Sequence, residues 1–576
     1  MVEHGLDGGM SRRRFLQASG AVGVGWLPIG VRSAGTADAP STPPGFPTGI
    51  PLYQQQYQNW AGEIRTDDLW TCAPRTAADV VSVANWAQRT GYTVRARGYR
   101  HTWAPLTVPD GTPATATTVL VDTTRYLTAM TTAGTDPATV RVQTGASMDS
   151  LLTFLESAGY GLTATPAPGD ISVGGVLAID GHGSAVPAAG EIRPAGHTYG
   201  SLSNLVVALT AVVWNQATAQ FQLATFDRTQ PECAALLTHL GRSFVTEVTL
   251  RVGANQNLRC LSLVDIPAAE LFAAPGSGAT RTLASFVEQS GRVEAIWFVF
   301  TDKPWLKVWS VAPTRPPASR PVTSPYNYPF SDVVPKPVSD LANRLINGEW
   351  SLTPTFGQLQ YDTASAGLVS TQSADLWGPS KNLLLYIKPT TLRETANGYA
   401  VLTSRASIQR VVHEFTTFAQ DRLTAYQAQG EYPISGQMEI RITGLDNPVD
   451  VAVPGAQAPD LSALRPREDH PEWDVAVWFD LLTFPTNPAA DAFYREIEQF
   501  LFGNYTGDYA AVRVEWSKGW AYTTTAAWSD QTMLTRTVPD TFRQGPVPTW
   551  DQARAVLDGL DPHRVFSNAF LDVLLP

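Results

Sequence analysis

Cysteine is scarce. Cys72, Cys233 and Cys260 are the only three among 576 residues, too few and too scattered for a disulfide framework or a zinc site, and at most one pair can bridge. Charge is sparse as well, at 16% of residues, with a net charge of −11 and no Lys/Arg run outside the extreme N-terminus. That argues against nucleic acid and against an anionic membrane surface as partners. There is no long unbroken apolar run: the candidate between Ala18 and Val31 is interrupted by glycines and Pro28, so no membrane-spanning helix is expected there. Two nucleotide signatures, Gly-x-Gly-x-x-Gly and Gly-x-x-x-x-Gly-Lys-Ser/Thr, are missing too. No set of metal ligands stands out.

What is present is a globular composition, 44% apolar and 10% aromatic, in a chain long enough for about two to four domains. Ser11-Arg-Arg-Arg-Phe-Leu-Gln17 precedes a weakly apolar, Gly-rich stretch and small residues up to Ala39, which together resemble a twin-arginine export signal. Such a signal implies secretion of an already folded protein, often one that carries a cofactor. Pro40 to Gly49 reads as a linker. Thr76 to Thr90 has Val80, Val81, Ala84 and Ala87 at helical spacing, with Gly91 at the C-cap position. Tyr92 to Arg97 and Val140 to Gly145 read as strands, Met148 to Ala158 as an amphipathic helix, and Leu205–Trp214 and Arg242–Val252 as strands. Near residue 258 the texture changes. Val293 to Trp309 is aromatic and strand-like, and Pro313 to Pro337 reads as a long, proline-stiffened loop. Further strands are expected at 382–387, 437–443, 474–482 and 512–522, with helical spacing returning in the last fifty residues. The expected division is 1–39 export signal, 40–258 cofactor domain, 259–530 substrate domain, and 531–576 a segment that rejoins the cofactor domain.

Two glycine-bearing turns compete to hold a cofactor: Arg97-Gly98-Tyr99-Arg100-His101-Thr102 after a strand, and Gly169 to Ser184. Glycines let backbone N–H groups approach a diphosphate closely, so an anion can be cradled without lysine. The run Pro74…Val80…Gly91…Val94-x-x-Arg97-Gly-x-x-His101, then Gly145, Pro168-Gly-Asp170, Val173-Gly-Gly175, Gly181-His-Gly183 and Arg242…Val245-Thr-Glu-Val-Thr-Leu250, resembles the vanillyl-alcohol-oxidase family of FAD flavoproteins. Asp561-Pro562 and Phe566-x-Asn568 are similar to that family's closing helix. The resemblance implies an α+β, two-domain architecture: a PCMH-type FAD-binding domain, and a substrate (cap) domain with a large antiparallel sheet flanked by helices. It also implies FAD attached covalently through His101. Around it the cofactor-binding positions would be Arg97, Gly98, Tyr99, Arg100, Thr102, Gly145, Gly169, Asp170, Ser172, Val173, Gly174, Gly175, Gly181, His182, Gly183, Ser184 and Val245.

Oxidation of an alcohol by flavin needs a base for the hydroxyl proton and a cation to hold the charge of the reduced ring. Gln437-Met-Glu-Ile-Arg-Ile-Thr443 alternates, so a strand puts Glu439 and Arg441 on one face, where they can pair, and Met438, Ile440 and Ile442 on the other. In Val512-Arg-Val-Glu-Trp-Ser-Lys518 the lysine falls on the apolar parity of Val512, Val514 and Trp516, with Glu515 as its neighbour. Glu294 opens a segment apolar on both faces, where burial raises a carboxyl towards a usable base. The constellation most resembles the type II cholesterol oxidases, which carry FAD covalently. This implies oxidation of the 3β-hydroxyl of cholesterol and related sterols by O2, giving H2O2, then Δ5 to Δ4 isomerisation. Glu294, Glu439, Arg441, Glu515 and Lys518 would be the catalytic residues, with no one of the three carboxylates singled out as the base. The resemblance adds transient contact with sterol-bearing membranes or lipid, and the chain is expected to act as a monomer. The alternative is a sugar or aldonolactone oxidase of the same fold, whose pocket would need many more polar groups than the aromatic Glu294–Trp309 stretch supplies.

Overall fold

Residues 42–332, 335–389 and 391–576 are described by a computed structural model. The expected export segment, 1–39, lies outside the described residues. Thr76 caps the helix Ala77–Thr90 by accepting from the Asp79 N–H, while the Asp79 side chain returns to the Thr76 backbone; Gly91, at φ 72°, ends it. Its buried residues are Val80, Val83, Ala84, Trp86 and Ala87, so the core-facing arc lies slightly off the expected one, which had Val81.

That helix feeds a small mixed sheet of β1 (Leu52–Gln58), β2 (Arg65–Cys72), β3 (Thr93–Arg97) and β4 (Thr118–Asp122), in the order β1-β2-β4-β3. Beside it stands an antiparallel sheet of β5 (Met130–Thr135), β6 (Ala138–Gln143), β8 (Val206–Asn215), β9 (Gln220–Asp227) and β10 (Phe244–Arg251), in the order β5-β6-β10-β8-β9. A two-residue ribbon pairs β7 (Tyr160–Gly161) with β11 (Gly253–Ala254). The chain end comes back here: Val94 N–H donates to the Val565 carbonyl at 2.7 Å, and Phe566 packs edge-on against Phe221.

The second half is built on nine strands: β12 (Asn257–Leu263), β13 (Arg292–Phe298), β14 (Trp305–Val311), β15 (Arg320–Pro321), β16 (Asp375–Pro379), β17 (Thr395–Thr403), β18 (Gln437–Gly444), β19 (Val475–Thr483) and β20 (Ala510–Val514). Their order is β15-β16-β12-β14-β13-β18-β19-β17-β20, antiparallel except where β15 meets β16. Every residue of β17 and β19 is buried, because helices cover one face and the first half covers the other. Phe479 on β19 stacks at 3.8 Å on Phe415 of the helix Ile408–Ala428; its neighbour Trp478, on the opposite face, stacks at 3.8 Å on His182.

Three expectations need correction. Residues 382–387 are not a strand: Ser380–Leu384 is a short helix, and only Ile387 makes a bridge, to Pro168. The strand at 512–522 ends at Val514, and residues 515–518 turn, so strand parity is not what aims Lys518. The proline-rich 313–337 segment carries β15 and a turn of helix at Pro329–Asp332, with Pro at the first helical position where its missing N–H costs nothing. The three cysteines are buried and unbridged.

Candidate active site

The first glycine turn leaves β3 with its arginines divided between two tasks. Arg95 is buried and donates to the carbonyls of Thr107, Gly241, Leu106 and Phe566, tying the turn to the chain end. Arg97 pairs with Asp122 at 2.5 Å; burial would push that carboxyl up, but the Arg97 hydrogen bond and charge hold it low. Arg97 is therefore a support behind the turn and not part of the cavity wall. Arg100, at φ 65°, bends the chain so that Gly98, Tyr99, Arg100, His101 and Thr102 all line one cavity of about 950 Å³.

The second turn faces the first. A Cβ on Gly98 would stand 2.2 Å from the Ser172 hydroxyl, and one on Gly174 would stand 2.8 Å from the Thr144 Cβ, so two backbone segments meet where side chains have no room. Ser172, Gly174, Gly175, Gly181, His182 and, from β10, Val245 line the same cavity. Gly145, Gly169, Asp170, Val173, Gly183 and Ser184 do not; Gly145 instead packs on the Thr123 carbonyl, which a Cβ would meet at 1.9 Å. This side-chain-poor cradle fits a diphosphate-bearing cofactor such as FAD. His101 sits at its end with Trp60 4.4 Å away, and burial, with the charges of Lys518 and Arg393, pushes its pKa down to about 3, leaving a neutral imidazole.

From there the cavity runs to the nine-stranded sheet. Cross-strand register puts Lys307 opposite Glu294, Glu294 opposite Arg441 and Arg441 opposite Trp478; one step along, Ile296 faces Glu439 and Glu439 faces Asp480. Directly opposed residues share a face. Lys307, Glu294, Arg441, Glu439 and Asp480 thus form one polar strip across an otherwise apolar sheet. The expected pairing of Arg441 with Glu439 is not what forms: Arg441 binds Asp480 and approaches Glu515 at 3.8 Å, while Glu439 accepts from Gln437 at 3.3 Å. The fully buried Asp480 takes the guanidinium in preference to the half-buried Glu439.

Lys518 comes off the turn after β20 and lies 3.7 Å from Asp480 and 4.1 Å from the Trp103 ring centre. Burial would push Glu515 up, but Lys518, Arg441 and His182 bring it below the usual carboxylate range. For Glu294 the balance goes the other way: burial wins and pushes it up, although Lys307 opposes. Thus two carboxylates of one site are driven apart, Glu515 downward and Glu294 upward.

All five residues expected to act chemically, Glu294, Glu439, Arg441, Glu515 and Lys518, line the cavity together with His101. Sequence reasoning missed Asp480, Lys307, Tyr386, whose hydroxyl donates to Glu294 at 2.7 Å, and Glu394, which burial pushes up to about 8. Lone charges in Trp305-Leu-Lys-Val-Trp309 and Val477-Trp-Phe-Asp-Leu481 were visible signals for Lys307 and Asp480. Tyr386 and Glu394 gave none. Aromatic and aliphatic side chains, including Ile296, Phe298, Trp305, Tyr328 and Phe330, also line the cavity, together with residues of the helix Lys336–Ile346.

Known families and solved structures match this geometry. A family model for the FAD binding domain matches residues 70–215, and one for the cholesterol oxidase substrate-binding domain matches residues 257–576. A solved structure of a solvent-stable cholesterol oxidase is 57% identical, covering 93% of this chain and 100% of its own, at TM-score 0.91. The cholesterol oxidase from Brevibacterium sterolicum is 46% identical over 93% of this chain and 99% of its own, also at TM-score 0.91. A xylooligosaccharide oxidase from Myceliophthora thermophila shares the fold alone, at 14% identity, TM-score 0.54, and 89% and 93% coverage. Comparison with curated protein sequences gives no match. Matched across its whole second half and along nearly the full length of two solved relatives, the chain belongs to the cholesterol oxidase family of FAD-binding proteins.

Proposed function

We propose that this protein oxidises the 3β-hydroxyl of cholesterol and related sterols to the 3-ketone and isomerises the product from Δ5 to Δ4, acting as a secreted monomer. The observation that carries the reading is the single cavity that joins the glycine cradle and His101 to a polar strip and then to an apolar, aromatic-walled chamber. When bound, FAD supplies the electron acceptor for the alcohol and delivers the electrons to O2 as H2O2. The chain's own residues orient and move protons. Arg441 pairs with Asp480 and approaches Glu515, and Lys518 pairs with Asp480, so basic groups stand at the cofactor end without an unpaired buried ion. Glu294 takes the proton from C4 of the Δ5-3-ketone; the C–H electrons shift the double bond through the dienolate, and the same proton returns at C6. The aromatic wall excludes water, which keeps that proton on Glu294 between the two positions.

His101 carries the flavin covalently in this reading, supported by its place at the end of the cradle and its neutral imidazole. The test is His101→Ala. We expect folded protein with FAD that dissociates, so acid precipitation gives a colourless pellet where the parent gives a yellow one. A tryptic fragment containing His101 from the parent without added flavin mass overturns the covalent assignment. Peroxide release on cholesterol, set against gluconolactone-type substrates, decides the substrate class.

A further inference from the structure

Lys307 is a buried amine with nothing to donate to; burial pushes its pKa below the ordinary lysine value, and the Glu294 charge beside it opposes that fall. Its side chain is 1% exposed, its Nζ lacks any hydrogen-bond partner, and four aromatic rings enclose it: Tyr386 at 3.0 Å from the ring centre, Trp309 at 4.8 Å, Tyr328 at 4.9 Å and Trp305 at 5.6 Å. An ammonium without hydrogen bonds is costly to bury, even over aromatic faces. The anion nearest to it is Glu294, whose Oε2 lies 3.9 Å away and also accepts the Tyr386 hydroxyl at 2.7 Å. One ring thus does two things: its face rests on the ammonium, and its hydroxyl is aimed at the carboxylate. The proton-shuttle role of Glu294 proposed above makes no use of Lys307 or Tyr386.

We propose that Lys307 is a positioning residue for the isomerisation: its caged ammonium, acting directly and through the Tyr386 hydroxyl, orients Glu294 into the sterol chamber and favours its carboxylate form over what burial alone would leave. The arrangement has the features the task needs. Glu294 needs to be ionised when the Δ5-3-ketone arrives, yet it is fully desolvated, and Glu439 on β18 adds a like charge. Lys307 on β14, Arg441 on β18 and the Tyr386 hydroxyl are the groups that oppose both effects. On the other side of Lys307 the facing groups are Cys260 on β12 and Tyr328, neither a permanent anion, so Glu294 and the more distant Glu439 are the carboxylates that answer its charge.

The inference rests on Glu294 being the isomerisation carboxylate, and the experiment separates the two. Cholest-5-en-3-one is supplied to the holoenzyme without oxygen, and formation of the conjugated enone is followed across pH for the parent, Lys307→Met, Lys307→Gln and Glu294→Gln. An opposite charge within about 4–6 Å lowers a carboxyl by about 1–3 pH units. Removing it should therefore move the acid limb of the isomerisation profile upward by about that much in both Lys307 variants, with the rate recovered at high pH and with FAD content and sterol KM little changed. Loss of rate by the same factor at every pH, or an unmoved acid limb, overturns the inference. If Lys307→Met does not fold, Lys307→Gln, which keeps a polar end but no charge, reads out the same shift. Isomerisation that persists in Glu294→Gln overturns the assignment of Glu294 itself.

Discussion

At Gly398 one methyl group would collide with three charged side chains. A Cβ there would stand 2.6 Å from the Lys518 Cγ, 2.8 Å from the Glu515 Oε2 and 2.9 Å from the Asp480 Oδ1. The glycine exists because the ion cluster needs the volume. Overpacking of this kind costs about 1–3 kcal/mol, so Gly398→Ala should melt earlier by calorimetry. Its kcat on cholesterol should fall while its FAD content stays at the parent level, because Lys518 and Glu515 are displaced but the cradle is untouched. Single residues also mark how far sequence reasoning reaches. Glu294 was legible as a carboxylate in an apolar strand, and Lys518 as a lysine out of place. The partner of Arg441 was not, since Asp480 lies 39 positions away and only strand register brings the two together.

Elements follow local chemistry closely. The helix Ala77–Thr90 begins and ends where its capping residues dictate, and Thr76→Ala should lower the unfolding free energy by about 1 kcal/mol in a denaturant titration of the holoenzyme. β18 keeps the alternation of its sequence, with Met438, Ile440 and Ile442 buried and Glu439 and Arg441 facing the cavity. Local pattern failed where apolar residues were buried without regular backbone. Trp516 and Trp520 are fully buried outside any regular strand, which looks like a strand to any periodicity argument. At Ser380–Leu384 a short apolar run gave the same ambiguity and resolved as a helix.

For the whole molecule, burial of titratable groups sets a stability profile with two falling sides. Glu63 and Glu498 are pushed up to about 7, Glu394 to about 8 and Asp460 to about 7, all by burial. In the unfolded chain such carboxyls ionise near about 4 to 4.5, so above that the unfolded state holds fewer protons and stability falls as pH rises towards 8. His239 is pushed down to about 3 and His182 and His197 to about 4, again by burial. These bind protons in the unfolded chain below about 6.5, so stability falls as pH drops. Between about 4.5 and 6.5 the two sets offset each other. Melting temperatures of the holoenzyme from about pH 4 to 9 should show a plateau there and a decline on both sides; a steady rise to about pH 8 would contradict the burial of these carboxyls.

The sequence by itself determined that there is a glycine-built cofactor cradle ending in His101, an aromatic substrate half, and the elements that carry both. It did so because glycine tolerance, capping and alternation act over a few residues and leave a local record. Tertiary structure alone decided which charges meet. The strip from Lys307 through Glu294 and Arg441 to Asp480 joins the neighbouring strands β13 and β14 to β18 and β19, far along the chain, and the winner among competing ion pairs depends on burial, a quantity no local pattern encodes.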